Sequence, residues 1–371
     1  MSDEAGTLCP ITAEFLPQNM RKHVDVKAPA ALRMMGAKGL VPIGPPETLG
    51  MLFMLTFDPD AGVRDTAVKT AATLPDRILS SALRDEAIKP AVLGFFLDLL
   101  WEKDVYAEML ILNGATPDDR VAEVASKCNL RTAELIGQNQ LRLLRHEDIV
   151  RKLCANPIAA GALVDGVCDF AVRSGLVLAD VLQMNEARVR LYGPQVAAKP
   201  PDQGPTAEQV MAENQELVDE GAAPLEEGKR LTLSQRIMKM SIAEKIKLGT
   251  LGNKEARSIL IRDTNKLVCV AVIRSPRITD GEVLLAAGNR GVNEDVLRVI
   301  YSNREWTKAY TIKLALVKNP KTPMGISMRF LSTLRESEVK DLARNKNIPS
   351  GIQGQAKKMM DKKNAPKKED H

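Results

Sequence analysis

"NPKTPMGISMRFLSTLRESEVKDLARNKNIPS" occupies Asn319–Ser350. An Asn, a short polar stretch and a Pro fall between two apolar helical patterns, and the same order returns at the end of the quoted stretch. A leading Asn suits a helix end, because it enters the left-handed region at low cost while orphan carbonyls are satisfied. A trailing Thr, Asn or Ser suits a helix start, where its side-chain oxygen accepts from a free N–H. Across the C-terminal half such turns line up as "SPRIT" (275–279), "NRGVN" (289–293), "NREWT" (303–307), "NPKTP" (319–323) and "NKNIPS" (345–350). Their first residues are spaced by 14, 14, 16 and 26. They separate apolar helical stretches such as "EVLLAAG", "EDVLRVIYS" and "YTIKLALVK". Thr279–Glu282, Ser350–Gln353 and Ser241–Glu244 have capping-box spacing. Thr322 is expected to cap the helix that follows, with Pro323 at its first position.

The N-terminal half repeats the design. "NGATP" (113–117) matches the N-x-x-T-P of 319–323, and the stretch beginning at Asn129 can be laid on the one beginning at Asn319. In that alignment Leu144-Arg145 falls on Leu334-Arg335, each pair precedes an acidic, apolar, then basic helix, and another Asn closes the unit after 27 or 26 residues. Repeats of this size stack as helical units, each burying its apolar face against its neighbours.

The 371 residues suffice for two or three domains. Hydrophobic residues make up 44% and aromatics only 4%, a palette that favours helix-on-helix packing. Residues 1–45 read as an irregular arm and 46–192 as a first helical-repeat array. Residues 193–230, rich in Pro and acidic residues, read as a linker. A second, basic array spans 231–360, and 361–371 form a charged tail. The expected fold is therefore all-α, with two α-solenoid-like arrays joined by an acidic, Pro-containing linker. Residues 1–228 carry 22 Lys and Arg against 33 Asp and Glu, a balance of −11. Residues 229–371 carry 30 against 14, a balance of +16. No apolar run approaches the roughly 18 residues that span a bilayer, and the N-terminus lacks the pattern of a signal peptide. A soluble, cytoplasmic protein without membrane insertion is expected. The five cysteines (Cys9, Cys128, Cys154, Cys168, Cys269) are scattered, with no C-x-x-C pair, and read as buried small hydrophobes in a reducing compartment.

"IKLALVKNPKTPMGISMRFL" followed by "LARNKNIPSGI" resembles the leucine-rich repeat variant family and, more broadly, the HEAT-like helical repeats. The shared pattern is an apolar helix, Asn-Pro-x-Thr-Pro, a second apolar helix, then Leu-Ala-x-Asn or Asp. It covers about residues 240–360 well and 105–175 loosely, and bacterial proteins of this kind look similar over the whole chain. The resemblance implies a right-handed helical superhelix used for binding, and it carries no catalytic residues. The uneven spacing and the lack of a cysteine-rich cluster depart from the family.

No phosphate-cradling glycine motif occurs; "LGNKEARS" has one Gly and one Lys, too little for a nucleotide loop. His146 has no nucleophile or metal partner at a recognisable spacing. No catalytic, cofactor-binding or metal-binding set emerges. What remains is a candidate binding surface on the basic half: Arg290, Arg298, Arg304, Trp306, Lys308, Tyr310, Lys313, Lys318, Lys321 and Arg329. A charged stripe aligned by stacking and a merely solvated face both fit these cations. Trp306 and Tyr310, four apart, would share a helix face, and either stack on a ligand or pack between repeats. Two functions follow. One is a non-enzymatic scaffold or adaptor binding a protein partner, with an acidic one as an option, along a helical-repeat surface. The other is a nucleic-acid-binding module using the basic repeats.

Overall fold

The computed structural model describes residues 9–194, 204–212 and 232–364. These residues form α-helices and three short 3-10 turns, with no β-strand among them. The all-α expectation holds. The chain divides into two compact units, one comprising residues up to Val172 with Leu178–Ala197, the other Arg173–Val177 with Ala198 onwards.

Helices pack both on the next helix in the chain and on their neighbours-but-one, as amphipathic helices do when each buries a stripe on both layers of a stack. In the first unit Ala30–Ala37 packs on Ala61–Ala72, Pro90–Leu100 on Asp118–Ala125, and Asp104–Leu112 on Leu130–Gln138. In the second, Ile242–Leu251 packs on Lys266–Ile273, and Lys266–Ile273 on Glu294–Ser302; Asp280–Gly288 meets Tyr310–Lys318, and Met324–Leu331 meets Ser350–Asn364. The core is aliphatic, as the composition requires. Leu52, Leu93, Leu97 and Leu144 are buried in the first unit and Val268, Leu297, Leu316 and Leu331 in the second. Each such side chain contributes about 1.5–3 kcal/mol by leaving water.

One length recurs. Asp104–Leu112, Glu147–Ala155, Asp280–Gly288, Glu294–Ser302, Tyr310–Lys318 and Glu336–Arg344 are all nine-residue helices, and each is followed directly by an Asn. The Asn stops the helix as expected, but not in the left-handed region. Asn113, Asn156, Asn289, Asn303, Asn319 and Asn345 all adopt φ between −69° and −83° with ψ between 116° and 121°, an extended conformation. The reason lies in the side chain. In all six, Oδ1 accepts from the backbone N–H two residues on, forming an Asx turn.

In three of them Nδ2 reaches back to an earlier helix end. Asn113 donates to the carbonyls of Leu83 (2.8 Å) and Asp85 (3.2 Å). Asn156 donates to those of Ala125 (2.9 Å) and Cys128 (3.0 Å). Asn319 donates to those of Ala287 (2.8 Å) and Asn289 (3.1 Å). An amide with two donors and an acceptor satisfies two helix ends at once, its own loop and the one about thirty residues back. The alignment of Asn129 with Asn319 is thereby corrected. Asn129 starts a helix, accepting from the Thr132 N–H, whereas Asn319 ends one. The match holds further along, where Glu147–Ala155 and Glu336–Arg344 have equal length and the same Asn terminus.

Helix starts also differ in part from expectation. Thr279 and Glu282 form the full capping box. Ser241 accepts from the Glu244 N–H (3.2 Å), but the Glu244 carboxylate accepts instead from the Ala207 N–H (2.8 Å). Ser350 is already the first helical residue, and the Gln353 amide donates to the Asn345 carbonyl. Thr322 caps nothing: Pro323 holds the N-cap position and Met324 begins the helix. The Thr322 side chain is buried and its Oγ1 has no hydrogen-bond partner, while the matching Thr116 donates to the Leu110 carbonyl (2.6 Å). A paired measurement follows. Thr116→Val should cost about 1 kcal/mol by removing a made bond. Thr322→Val should stay within about 0.5 kcal/mol of the parent. Equal losses in urea unfolding would contradict the difference in bonding.

Buried charge is paired within the fold. Asp118 accepts from both Arg142 and Arg145, and the Arg142 guanidinium also donates to the carbonyls of Thr116 (2.8 Å) and Asn113. Arg33 is paired with Asp58 at 2.8 Å. Within the first 45 residues Ala30–Ala37 packs on Pro45–Leu55, and Leu16 is buried. In the stretch read as a linker, 207–212 are helical with Ala207 and Val210 buried; residues 195–203 and 213–230, which hold most of its acidic residues, lie outside the described residues, as does the tail beyond 364.

Candidate binding groove

The ten basic and aromatic candidates divide by what they touch. Arg290 donates to the Asn347 carbonyl, and Lys321 donates to the Val292 carbonyl at 2.8 Å. Lys308 pairs with Glu305 (2.7 Å) and Arg298 with Asp295 (3.7 Å) on their own helical turns. The Arg329 guanidinium lies 5.0 Å from the Phe330 ring centroid. Arg304, Lys313 and Lys318 make no ion pair among the described residues. Trp306 and Tyr310 do not share a helix face. Trp306 lies in a 3-10 turn, Ala309 is extended, and Tyr310 begins a separate helix. The Tyr310 hydroxyl accepts from the Arg335 N–H at 2.9 Å and its ring carries the Arg335 guanidinium 5.0 Å away, so its polar end is engaged within the fold.

None of the ten lines the apolar groove of the second unit. That groove, about 540 Å³, runs between Lys254–Leu260 and Asp280–Gly288, with Ala315 also in its lining. Asn253 starts the first of these helices by accepting from the Ala256 N–H (2.9 Å). Helical spacing then sets Lys254 and Ser258, four residues apart, along the groove, and Arg262 follows in the turn after the helix. Opposite them stands Leu285, 71% exposed although it sits mid-helix among buried Val283, Ala286 and Ala287. Gly281 and Gly288, four before and three after it, leave open space where a side chain would stand. Ile261, Val272 and Leu284 make the floor apolar.

One wall is held by a nearly buried bidentate pair, Arg257 to Glu282 at 2.8 and 3.1 Å, with a third Arg257 N–H donated to the Gly252 carbonyl. Burial pushes the Glu282 carboxyl up, but the bonds from Arg257 and from Thr279 outweigh it and hold the group below the usual carboxylate range. A depressed carboxylate contributes stability above its unfolded pKa and loses it as pH falls through the folded value. The second unit should therefore weaken between about pH 5 and pH 3, and Glu282→Gln should flatten that slope in urea melts taken across the range. Lys254 and Arg262, by contrast, face the groove without an ion-pair partner among the described residues.

The first unit has a smaller groove of about 380 Å³, floored by exposed Val105 and Leu112 and bounded by Glu86, Glu108 and Arg84. Sequence reading found the helix ends but not the grooves. The i, i+4, i+8 placement of Lys254, Ser258 and Arg262 was the available signal, and Leu285 between two glycines was the other. Among the described residues no group of His, Cys, Asp and Glu could hold a metal ion, and no helix is long and apolar enough to cross a membrane. No family model, curated protein or solved structure matches the chain.

Proposed function

We propose that this protein is a non-enzymatic scaffold built from two helical-repeat arrays of the HEAT-like, leucine-rich repeat variant kind, and that it binds an acidic protein segment in the groove of its second unit. The observation that carries this reading is the exposed Leu285 facing Lys254 and Arg262 across an apolar floor. An amphipathic partner helix would lay its apolar side chains beside Leu285, and its carboxylates would meet the two cations. Charge complementarity of this kind sets partner choice more than affinity.

A fluorescent synthetic helix with Leu on one face and Glu on the other, titrated against the full chain, tests this. Leu285→Glu should weaken binding by about tenfold or more, and Lys254→Glu or Arg262→Glu several-fold each; all three side chains are exposed, so the fold is spared. A peptide with Lys in place of Glu should not bind. Binding that ignores Leu285→Glu would defeat the reading. The nucleic-acid alternative draws on Arg304, Lys313 and Lys318, which make no ion pair among the described residues. It gains ground only if single-stranded DNA binds with steep salt dependence and Leu285→Glu leaves it unchanged.

A further inference from the structure

We propose that Cys154 and Cys168 form a dithiol site that hydroperoxides oxidise to an intramolecular disulfide. The two Sγ atoms lie 3.6 Å apart. A disulfide bond is about 2.05 Å long, so closure needs the sulfurs to approach by about 1.5 Å, within reach of side-chain rotation. Cys154 is the penultimate residue of Glu147–Ala155 and is half-buried, open to a small oxidant. Cys168 lies within Gly161–Arg173 and is buried beside it, positioned as the resolving thiol.

The other three cysteines lack this arrangement. Cys128 and Cys269 are buried, their Sγ atoms contact backbone carbonyls, and burial pushes both thiols up to about 11. Burial also raises the Cys9 thiol. In the pair, the hydrogen bond from Cys168 holds Cys154 below the ordinary thiol value against the opposing effect of burial. Cys168 itself is held protonated, chiefly by that same bond, then by burial and by the nearby Cys154 and Asp165 charges, with Arg190 opposing. One sulfur is thereby disposed to be the thiolate and its neighbour the proton donor, the division of labour a peroxide reaction needs.

The chemistry balances. The Cys154 thiolate attacks one oxygen of hydrogen peroxide, the O–O bond breaks, and hydroxide leaves, giving a sulfenic acid. The Cys168 sulfur then attacks the Cys154 sulfur, expelling its oxygen as water with the Cys168 proton. Two thiols and one peroxide yield one disulfide and two waters.

The sequence supplies a direct readout, because trypsin cuts after Lys152 and Arg173 and nowhere between, leaving both cysteines on one peptide. The full chain, treated with hydrogen peroxide and then alkylated, should give Leu153–Arg173 lighter by two hydrogens and unalkylated. Dithiothreitol should restore it. Cys9 should remain alkylatable, the pair reacting at least about tenfold faster. Cys168→Ser should stop the reaction at the sulfenic acid, trapped on Cys154 by dimedone. The proposal is overturned if Cys154 and Cys168 alkylate as fully after peroxide as before. It is equally overturned if Cys154 is driven to sulfinic acid while Cys168 still alkylates, or if Cys168→Ser yields no dimedone adduct at Cys154.

Discussion

Asp118→Ala is expected to destabilise the first unit by about 3–5 kcal/mol, the cost of removing one partner of a buried ion pair. The Arg142 side chain is only 3% exposed, and Asp118 is the carboxylate that answers both it and Arg145. The carbonyls of Thr116 and Asn113 would still accept from Arg142, but they carry no net charge. Asp118 also opens the helix Asp118–Ala125, where a negative charge is favoured. The chain's two tryptophans separate the readout: Trp101 belongs to the first unit and Trp306 to the second. Urea unfolding followed through Trp101 in a Trp306→Phe background should show the midpoint fall. A shift below about 1 kcal/mol would mean that water reaches Arg142 and screens it.

Asn319→Ala should destabilise the second unit by about 3 kcal/mol, because one truncation leaves several buried backbone groups without partners. The amide serves the Ala287 and Asn289 carbonyls and the Lys321 N–H, and the residue is fully enclosed. Asn319→Asp retains the acceptor for Lys321 but presents a carboxylate to two carbonyls, so it should be no milder. Unfolding through Trp306 reads the loss, and the Trp101 signal should stay unchanged. A matching loss at Trp101 would show that the two units unfold together.

The helix-ending role of Asn was legible from sequence because it depends on local spacing: nine helical residues, an Asn, a short polar turn. Its conformation was not, because the side chain is claimed by carbonyls about thirty residues upstream, a tertiary demand that overrides the left-handed preference. The same cause displaced the expected caps. Thr322 is turned into the interior and Glu244 is taken by the Ala207 N–H, so neither serves the local motif that its spacing suggested. Trp306 and Tyr310 were linked by periodicity alone, which fails once the extended Ala309 divides them. The basic candidates rest on charges recurring along the repeats. The structure ties several of them to neighbouring carbonyls and carboxylates, while Lys254 and Arg262, within the same basic array, are not among those candidates. The thiol pair was invisible because Cys154 and Cys168 are 14 residues apart and meet only through the packing of two helices.

The asparagine bonds that reach back across 28 to 32 residues also bear on how the chain folds and yields. They close loops of moderate and nearly constant length, so no single step has to join distant parts of the chain at large entropic cost. Low contact order of this kind accompanies fast folding that spreads from wherever it begins. Under tension applied to the C-terminus, the Glu336–Arg344 and Ser350–Asn364 helices would peel first, with the Asn319 clamp resisting next. Extension in an optical trap should therefore advance in small, similar increments within the second unit, each ending at an asparagine.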